Sequence, residues 1–292
     1  MKITISGSLG NIGKPLTTKL VSAGHDVTVI SSSADRKEAI EKSGANAAIG
    51  SVSDANFLKE AFTGADAVFV MTPPNMGGAN IIANTTEAGK AFATAIIASD
   101  VKRVVMLSSI GGDLPTGNGP IAGLHNIEKI YNELESVSVT FLRAGLFLTN
   151  FYNDVPLIKG MGIMGANYPG DIRIPLVYPG DIATAAAEEL QKSSTGKNVR
   201  YIVSDVRTPN EAAQVLGKAI GNPELPWVEF TDEQALQGMQ QAGLPEEVAQ
   251  LYTEMGSGFR NRTIPADFER NGSPVDGQTK LEDFAKVFAA GF

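Results

Sequence analysis

Three polar residues in the middle of the chain have the types and spacing to move a proton and to bind hydroxyl groups. Ser108 follows an apolar run, Arg103–Leu107, and His125 and Lys129 lie four residues apart in the next segment. Residues four apart share one face of a helix. Histidine exchanges a proton near neutral pH, and lysine and serine can hydrogen-bond a bound molecule. We therefore take all three as candidate catalytic residues. The alternative is that they end a strand or lie on a solvated helix surface.

These side chains need a scaffold, and the start of the chain indicates which one. A short strand, Lys2–Ser6, is followed by glycines at intervals of three and then by an amphipathic helix with Leu16 and Leu20. In such a unit the glycines let the backbone approach a pyrophosphate, which the helix N-terminus binds. The alternative is a glycine-rich turn that binds nothing. The predicted dinucleotide ligands from this turn are Gly7, Leu9, Gly10, Asn11, Ile12 and Gly13.

Strands and helices alternate through the first half of the chain. Apolar runs separated by helical patterns predict right-handed crossovers and a parallel sheet covered on both faces. The predicted strands are Lys2–Ser6, Val27–Ile30, Ala47–Ile49, Ala67–Met71, Arg103–Leu107 and Val137–Leu142. We predict an α/β fold with a Rossmann-type, doubly wound parallel sheet. Ligands in such folds bind at the carboxyl ends of the strands.

The pattern changes after Arg143, where glycines and aromatic residues become frequent. We predict a strand at Ile172–Pro175 and a strand at Val199–Val203 that rejoins the sheet. The stretch from Gly256 to Gly277 is predicted to be mostly loop, with a closing helix at Leu281–Ala289.

These elements predict two structural units. Residues 1–145 and 180–204 are expected to form an NAD(P)-binding Rossmann domain. Residues 146–179 and 205–292 are expected to form a smaller, α-rich C-terminal substrate lobe, which we call the C-terminal lobe.

The residues after the second predicted strand bear on which dinucleotide binds. NAD sites usually place Asp or Glu there to hold the ribose 2′-hydroxyl. Here Ser31, Ser32 and Ser33 occupy the position, and Arg36 follows. No carboxylate repels a 2′-phosphate, and hydroxyl and guanidinium groups can donate to it. The sequence therefore favours NADP(H) over NAD(H). The alternative is that the serines cap the following helix, and both roles can hold together.

A further candidate ligand contact follows the fourth predicted strand, and a charged residue follows the sixth. The loop with Thr72, Pro73 and Pro74 should run beside the adenosine ribose and the pyrophosphate. Arg143 is expected to form a structural ion pair, because a buried guanidinium needs a partner.

Aromatic and apolar residues of the second half could line a pocket for a flat substrate. The candidate substrate residues are Phe147, Phe151, Tyr152 and Trp227, with Leu146, Tyr252 and Met255 as further members. The alternative is that these residues are ordinary core, as aromatic and Met residues at helical spacing often are.

Composition restricts the classes of function. The chain has 292 residues, 43% hydrophobic and 19% charged, which is typical of a globular protein. A net charge of −8 disfavours nucleic-acid binding. The absence of cysteine excludes a disulfide framework, a thiolate zinc site and a cysteine nucleophile, and no metal ligands are predicted. Without a signal-peptide pattern or a run of about 18 apolar residues, we expect a cytoplasmic protein with no membrane segment.

Several of these motifs together resemble the NmrA-like branch of the atypical short-chain dehydrogenases. They are the Gly7-x-x-Gly10-x-x-Gly13 turn, Leu107-Ser108-Ser109, His125-x-x-x-Lys129, Thr140–Gly145 and Pro179–Ala183. The resemblance covers nearly the whole chain and is nearest to the triphenylmethane reductase and NADPH-quinone oxidoreductase group. It implies a Rossmann domain, NADPH, and direct hydride transfer to a flat aromatic or quinonoid acceptor.

The chain departs from the family's pattern at two positions, and it also lacks the Tyr of ordinary short-chain dehydrogenases. His125 stands where ordinary short-chain dehydrogenases have a Tyr, so alcohol dehydrogenation by the usual Tyr–Lys route is not expected. Many relatives have Arg where Ser31 stands, and many have Gly-Asp where this chain has Gly50-Ser51.

Two functions remain open. The first is an NADPH-dependent reductase of quinones or similar flat conjugated acceptors, acting as a monomer or homodimer, with Lys129 and Gly145 positioning the cofactor. The second is a non-enzymatic NAD(P)-binding redox sensor that binds a protein partner, as in other members of the family. A sugar-nucleotide epimerase fits less well, because the Tyr–Lys pair that such enzymes use is absent.

Overall fold

The computed structural model describes residues 1–73 and 78–292. The strands are β1 (Lys2–Ile5), β2 (Asp26–Ser31), β3 (Asn46–Ile49), β4 (Ala67–Val70), β5 (Arg103–Ser109), β6 (Ser138–Ala144), β7 (Leu146–Phe147), β8 (Met164–Ala166), β9 (Ile174–Val177), β10 (Lys197–Ile202), β11 (Asp205–Arg207) and β12 (Trp227–Glu229). The helices are α1 (Gly13–Ser22), α2 (Lys37–Lys42), α3 (Ala55–Phe62), α4 (Ile81–Ala98), α5 (Ile121–Asn132), α6 (Val155–Met161), α7 (Pro179–Gln191), α8 (Pro209–Ala219), α9 (Asp232–Gln241), α10 (Glu246–Arg260), α11 (Ala266–Arg270) and α12 (Leu281–Gly291).

A parallel sheet forms the centre of the molecule. Its seven strands lie in the order β10-β6-β5-β4-β1-β2-β3. Ile3 of β1 pairs with Val27 on one side and with Ala67 on the other. The chain therefore builds the sheet outward in two directions, and the strand order reverses between β1 and β4. Ligands bind at such a switch point. The predicted Rossmann-type fold is confirmed.

Helices cover both faces of this sheet. Apolar residues of α1 and α7 pack on one face, and those of α3, α4 and α5 pack on the other. Val68 and Phe69, neighbours in β4, belong to different clusters because successive strand residues point to opposite faces. Both are fully buried. This two-sided burial explains why the strands are apolar along their whole length.

Nearby side chains cap the starts of α3 and α8. The Asp54 carboxylate accepts hydrogen bonds from the backbone nitrogens of Asn56 (2.9 Å) and Phe57 (3.2 Å), so Asp54 caps α3. Thr208 and Glu211 form a capping box at the start of α8.

A third core lies outside the large sheet. Strands β11, β9 and β7 form a three-stranded sheet in that order, and β12 pairs with β8. Around them pack α8 and α12, with Phe284 and Phe288 fully buried. Strand β10 joins the large sheet beside β6, so the predicted return of the chain is confirmed.

Two sequence-based boundaries are wrong. The strand predicted at Ile172–Pro175 lies at Ile174–Val177, where it pairs with both β11 and β7. The stretch predicted as loop contains the last turn of α10 and all of α11.

Close packing explains the second error. A Cβ atom on Gly256 would lie 1.8 Å from Asn167 Oδ1, and one on Gly258 would lie 2.6 Å from the Gly117 carbonyl oxygen. These glycines allow α10 to pack closely and do not break it. No helix within the described ranges is long and apolar enough to cross a membrane.

Candidate active site

The glycine turn lies at the carboxyl end of β1, at the switch point of the sheet. Gly7 has a φ of 101°, and a Cβ atom there would lie 2.1 Å from Met71 Cε. A Cβ atom on Gly13 would lie 2.0 Å from the Ser8 carbonyl oxygen. The first residue of α1 therefore packs directly on the turn, and only glycine leaves room for that contact.

The N-terminus of α1 is suited to an anion. No side chain among the described residues caps it, and its first turn contains no acidic residue. Helix N-termini leave N–H groups unpaired and carry a positive partial charge. Asn11 is exposed and Leu9 half-buried beside it. The close backbone packing and the uncapped helix together fit the pyrophosphate of a dinucleotide.

Ser31 braces the glycine turn from the end of β2. Its hydroxyl accepts hydrogen bonds from Ser8 Oγ (3.1 Å) and from the Ser33 backbone nitrogen (3.3 Å). The residue is only 3% exposed. Ser32 and Arg36 are exposed and Ser33 is half-buried. Of the residues predicted to hold a 2′-phosphate, Ser32 and Arg36 are therefore the most accessible to a ligand.

Ser6 connects the ends of β1 and β4, a role that the sequence did not indicate. Its hydroxyl donates to the Met71 carbonyl oxygen (3.1 Å) and accepts from the Met71 nitrogen (2.7 Å). This fixes the start of the loop after β4, where Thr72 is half-buried and Pro73 is exposed. Pro74, also predicted as a cofactor contact, lies outside the described residues.

Ser108 is buried against a carboxylate. Its hydroxyl donates to Glu128 Oε1 at 2.5 Å, and the residue is 3% exposed. Glu128, in α5, also accepts from Arg143 Nε (3.1 Å) and Nη2 (2.6 Å). Burial alone would lower the pKa of Arg143, but the hydrogen bond and charge of Glu128 raise it above its ordinary value.

The ion pair continues into the last third of the chain. Arg143 Nη1 donates to Asp267 Oδ2 at 2.7 Å, and Tyr201 donates to the same oxygen. Burial and the charge of Asp267 raise the pKa of Tyr201 to about 12. Asp113 Oδ1, buried and without a hydrogen bond among the described residues, lies 4.0 Å from Arg143 Nη1. The structural ion pair expected of Arg143 is therefore present, and it ties β6 to α11.

His125 lies half-buried on α5, with Nδ1 2.9 Å from the Gly112 carbonyl oxygen. Because a carbonyl oxygen only accepts, Nδ1 carries the hydrogen and Nε2 is the nitrogen that can exchange a proton. Lys129, one turn further, is exposed, and its amine has no ion-pair or hydrogen-bond partner in the described part of the chain. The amine is thus free to bind a ligand.

Gly145 is buried at the end of β6. A Cβ atom there would lie 2.6 Å from the Pro175 carbonyl oxygen, and its nitrogen donates to the Ile202 oxygen at 3.0 Å. Its position is set by close contact between strands. Its role toward a cofactor stays a prediction.

Three of the aromatic residues predicted to bind a substrate, Phe151, Tyr152 and Trp227, pack into the core around the three-stranded sheet. Phe151 and Trp227 line a cavity of about 10 Å³, which holds no more than about one water molecule. Trp227 stacks on Tyr168 with ring centres 5.3 Å apart, and Tyr152 stacks on Phe288 at 5.2 Å.

Phe147 lies apart from these rings. It is half-buried against the core of the large sheet, directly after Gly145. Among the four predicted substrate residues it is therefore the one placed beside the strand ends where a ligand is expected. The substrate roles of all four stay predictions.

Helix α10 holds two loops of the site from outside, a feature that local sequence motifs did not reveal. Glu247 Oε1 and Oε2 accept from the backbone nitrogens of Ile81 (2.9 Å) and Asn80 (2.5 Å) at the start of α4. Glu254, seven residues along the same helix, accepts from the Gly117 nitrogen at 2.6 Å. Capping residues are usually sought next to the helix they cap, whereas Glu247 lies far along the chain from α4.

One groove of the structure lies away from all these residues. It has a volume of about 620 Å³ and lies between the end of α7 and edge strand β10, where Lys192 and Arg200 line it. No residue of the predicted site contributes to it, so the candidate site is assigned from the strand ends and their contacts.

The chain is similar in sequence and in structure to several known proteins. Residues 1–278 match the model of the NmrA-like family. An NAD(P)H azoreductase from Xenophilus azovorans is 27% identical over 298 positions, covering 99% of each chain. An NADPH-dependent quinone oxidoreductase from Escherichia coli has a similar structure, with a TM-score of 0.80, 19% identity and 98% of each chain covered. The Citrobacter sp. triphenylmethane reductase complexed with NADP(H) has a TM-score of 0.77 and 20% identity, covering 98% of this chain and 99% of that one.

Proposed function

The chain belongs to the NmrA-like family, as its motifs predicted, and we propose that it is an NADPH-dependent reductase that transfers hydride to a quinone or a similar flat conjugated acceptor. The observation that carries this proposal is the glycine turn packed on the uncapped start of α1, at the switch point of the sheet. The named relatives support it. The azoreductase, the quinone oxidoreductase and the triphenylmethane reductase are all oxidoreductases by name, in agreement with the class predicted here.

The proposed cofactor contacts follow the strand ends. Gly7, Gly10 and Gly13 with the N-terminus of α1 hold the pyrophosphate, and the adenosine lies beside the loop after β4. Ser32, Ser33 and Arg36 donate to the 2′-phosphate, which is the basis for preferring NADPH to NADH. The bound dinucleotide supplies the hydride.

The chain's own residues position the reactants and move one proton. The Lys129 amine binds ribose hydroxyl groups. The Gly112 carbonyl oxygen accepts the hydrogen of His125 Nδ1, so Nε2 is the nitrogen that gives and takes the proton. As imidazolium, His125 gives its Nε2 proton to the reduced acceptor and regains one from solvent.

We also propose the division of the chain that the sequence indicated. Residues 1–145 and 180–204 form the dinucleotide-binding domain, and 146–179 with 205–292 form the C-terminal lobe on the substrate side. Gly145 and Phe147, where β6 leads into this lobe, are the proposed neighbours of the reacting ring.

The test is oxidation of NADPH, followed by its absorbance, with a panel of quinones, azo dyes and triphenylmethane dyes. NADH is run in parallel, and His125→Gln serves as a matched variant. We expect turnover with NADPH and a loss of about 10²-fold in kcat for His125→Gln. Turnover with NADH alone would keep the reductase and reverse the cofactor assignment. Saturable NADPH binding without turnover across the panel would contradict the proposal and favour the redox sensor.

A further inference from the structure

Asn118 is a fully buried polar residue in the loop between β5 and α5. Its Nδ2 atom donates to the Gly111 carbonyl oxygen at 2.9 Å and to the Leu114 carbonyl oxygen at 2.8 Å. An amide NH2 group has two hydrogens, so both are used within this loop. Its Oδ1 atom has no hydrogen-bond partner among residues 1–73 and 78–292. The side chain is therefore committed to two backbone carbonyl groups, and none of the motifs shared with the family includes it.

Gly112 lies between the two carbonyl groups that Asn118 binds. Its own carbonyl oxygen accepts from His125 Nδ1 at 2.9 Å. Gly111, directly before it, has a φ of 87°, and two glycines in succession give a backbone wide conformational freedom. The direction of the Gly112 carbonyl group therefore depends on how its neighbours are fixed. Asn118 fixes one carbonyl group before Gly112 and one after it.

Asn118 is itself held by helix α10. The Gly117 nitrogen donates to Glu254 at 2.6 Å. A Cβ atom on Gly119 would lie 2.1 Å from the Leu251 carbonyl oxygen, so residues 117–119 pack directly on the helix. The two hydrogen bonds of Asn118 thus connect α10 to the turn that contacts His125.

The tautomer of His125 depends on this turn. A carbonyl oxygen can only accept, so Gly112 selects the form with hydrogen on Nδ1 and leaves Nε2 to exchange the proton. An imidazole that gives up its Nε2 proton is left in this same Nδ1–H form. A neutral imidazole without a fixed acceptor takes up both tautomers, and the Nε2–H form cannot accept a proton at Nε2. A fixed Gly112 carbonyl group therefore favours proton transfer through Nε2.

We propose that Asn118 is a positioning residue for the proton transfer, which clamps the turn of residues 111–114 so that the Gly112 carbonyl oxygen holds His125 in the Nδ1–H tautomer. The inference rests on the proposed function, in which His125 gives its Nε2 proton to the reduced acceptor. Because Asn118 is fully buried, its effect on the reaction passes through Gly112.

The first measurement is the tautomer of His125, read by NMR on the full chain with ¹⁵N-labelled histidine. The chain has two histidines, so His25→Gln identifies the signals of His125. At about pH 9, where free imidazole is neutral, the wild type should show a protonated Nδ1 and a bare Nε2 on His125. Asn118→Ala should shift these signals toward the Nε2–H form. Asn126→Ala is the matched control beside His125; it loses a hydrogen bond to Thr86 and should leave the signals unchanged.

The second measurement is a double-variant cycle in kcat, with NADPH and the acceptor that turns over fastest. Asn118→Ala should lower kcat about tenfold, less than the loss of about 10²-fold expected for His125→Gln. It should keep the NADPH dissociation constant within about threefold of the wild type. In the His125→Gln background, Asn118→Ala should lower kcat no further, because the group that it positions is gone.

A second variant, Asn118→Ser, has one donor on a shorter side chain and should change the tautomer and kcat in the same direction. It takes the place of Asn118→Ala if the alanine variant does not fold. An unchanged His125 tautomer in a folded Asn118 variant, or an equal loss of kcat with and without His125, would overturn the inference and leave the reductase in place.

Failure of the proposed function gives a different result. A wild type that binds NADPH but reduces no quinone or dye would overturn the reductase assignment, and with it the role of Asn118 in the reaction. The NMR measurement needs no turnover, so it would still decide whether Asn118 holds the tautomer of His125.

Discussion

The Glu247 carboxylate on α10 lies 2.9 Å from the backbone nitrogen of Ile81, the first residue of α4. Its second oxygen accepts from the Asn80 nitrogen, so one carboxylate pairs with two N–H groups at the start of α4. A negative charge at a helix N-terminus is favourable, and capping groups of this kind contribute about 0.5–2 kcal/mol. The cap also orders the end of the loop that follows β4.

We expect Glu247→Gln to lower the unfolding free energy by about 1 kcal/mol and to weaken NADPH binding about threefold to tenfold. The weaker binding follows because the loop proposed to contact the adenosine loses its anchor. Glu246→Gln is the matched control, since Glu246 contacts only Gln250 of its own helix among the described residues. Urea unfolding and a fluorescence titration with NADPH make the measurement. Equal effects in both variants would remove the case for a specific cap.

The contact between Gly13 and Ser8 predicts a selective loss of cofactor binding. A Cβ atom on Gly13 would lie 2.0 Å from the Ser8 carbonyl oxygen, so Gly13→Ala must push the turn away from α1. We expect the NADPH dissociation constant to rise at least about tenfold. Gly238→Ala, in α9 with open space around it, should leave binding unchanged and stabilise the fold by up to about 1 kcal/mol.

The exposed guanidinium of Arg36 predicts how the two cofactors are distinguished. Arg36→Ala should raise KM for NADPH about tenfold and leave KM for NADH nearly unchanged, because only NADPH carries the 2′-phosphate. Lys37→Ala is the control, since the Lys37 amine is already paired with Glu41 at 3.9 Å. Steady-state kinetics give KM for both cofactors in each variant. A parallel rise in both KM values would place Arg36 elsewhere than at the phosphate.

The buried ion pair predicts a large and non-additive effect on stability. Arg143→Met leaves Glu128 buried without its cation and should cost about 3–5 kcal/mol of unfolding free energy. Adding Glu128→Gln should recover part of that loss, because the uncompensated charge is then removed. Arg262→Met, which breaks an ion pair with Glu269 whose two side chains are both exposed, is the control and should cost about 1 kcal/mol or less. Equal losses at both positions would contradict the burial argument.

Asp154 predicts how stability depends on pH. Burial raises its pKa to about 7, offset only in part by a 3.5 Å hydrogen bond from the Gly165 nitrogen. A folded-state pKa above the ordinary value of 3.8 means that the folded protein binds the proton more tightly. The unfolding free energy therefore falls as pH rises from about 4 to about 7. Asp154→Asn should remove this fall and raise Tm at pH 8 by at least about 3 °C.

Asp232 has a pKa shift of the opposite sign. Hydrogen bonds from Arg260 and Asn167 lower its pKa, so its contribution to stability is present at neutral pH and is lost on acidification. Asp232→Asn should therefore lower Tm at pH 8, and this loss should begin to shrink only as pH falls below the ordinary value of 3.8. Thermal unfolding of both variants between pH 3 and pH 8 makes the comparison. Shifts of the same sign at pH 8 would show that the two carboxyl groups do not differ in environment as described.

The first half of the fold could be predicted from the sequence because its determinants are local. The hydrophobic period and the glycine spacing place β1 through β6 to within a few residues. The cap of α3 is local too, because Asp54 accepts from residues two and three positions further along the chain. The stretch around Gly256 could not be predicted, because its glycines serve a contact with Asn167 that is distant in sequence.

The site divides in the same way. The sequence identified Ser108 and His125 as candidate site residues, but it did not predict the hydrogen-bond partner of either. The hydrogen bond from Ser108 to Glu128 depends on how α5 packs on the sheet, and that packing is not written in any local spacing. The Glu247 cap is likewise missed, because α10 meets α4 only in the folded chain.

Strand β10 has a consequence for how the protein is made. The chain leaves the large sheet at Ala144 and returns only at Lys197, and β10 is the strand that covers the outer edge of β6. During synthesis at about 5–20 residues per second, this edge waits several seconds with its N–H and C=O groups unpaired. Six of the seven residues of β6 are buried in the finished fold, and four of them, Val139, Phe141, Leu142 and Ala144, are apolar. Aggregation is therefore most expected when a ribosome-bound chain stalls near residue 145. A fragment that ends there has the same unpaired edge of β6.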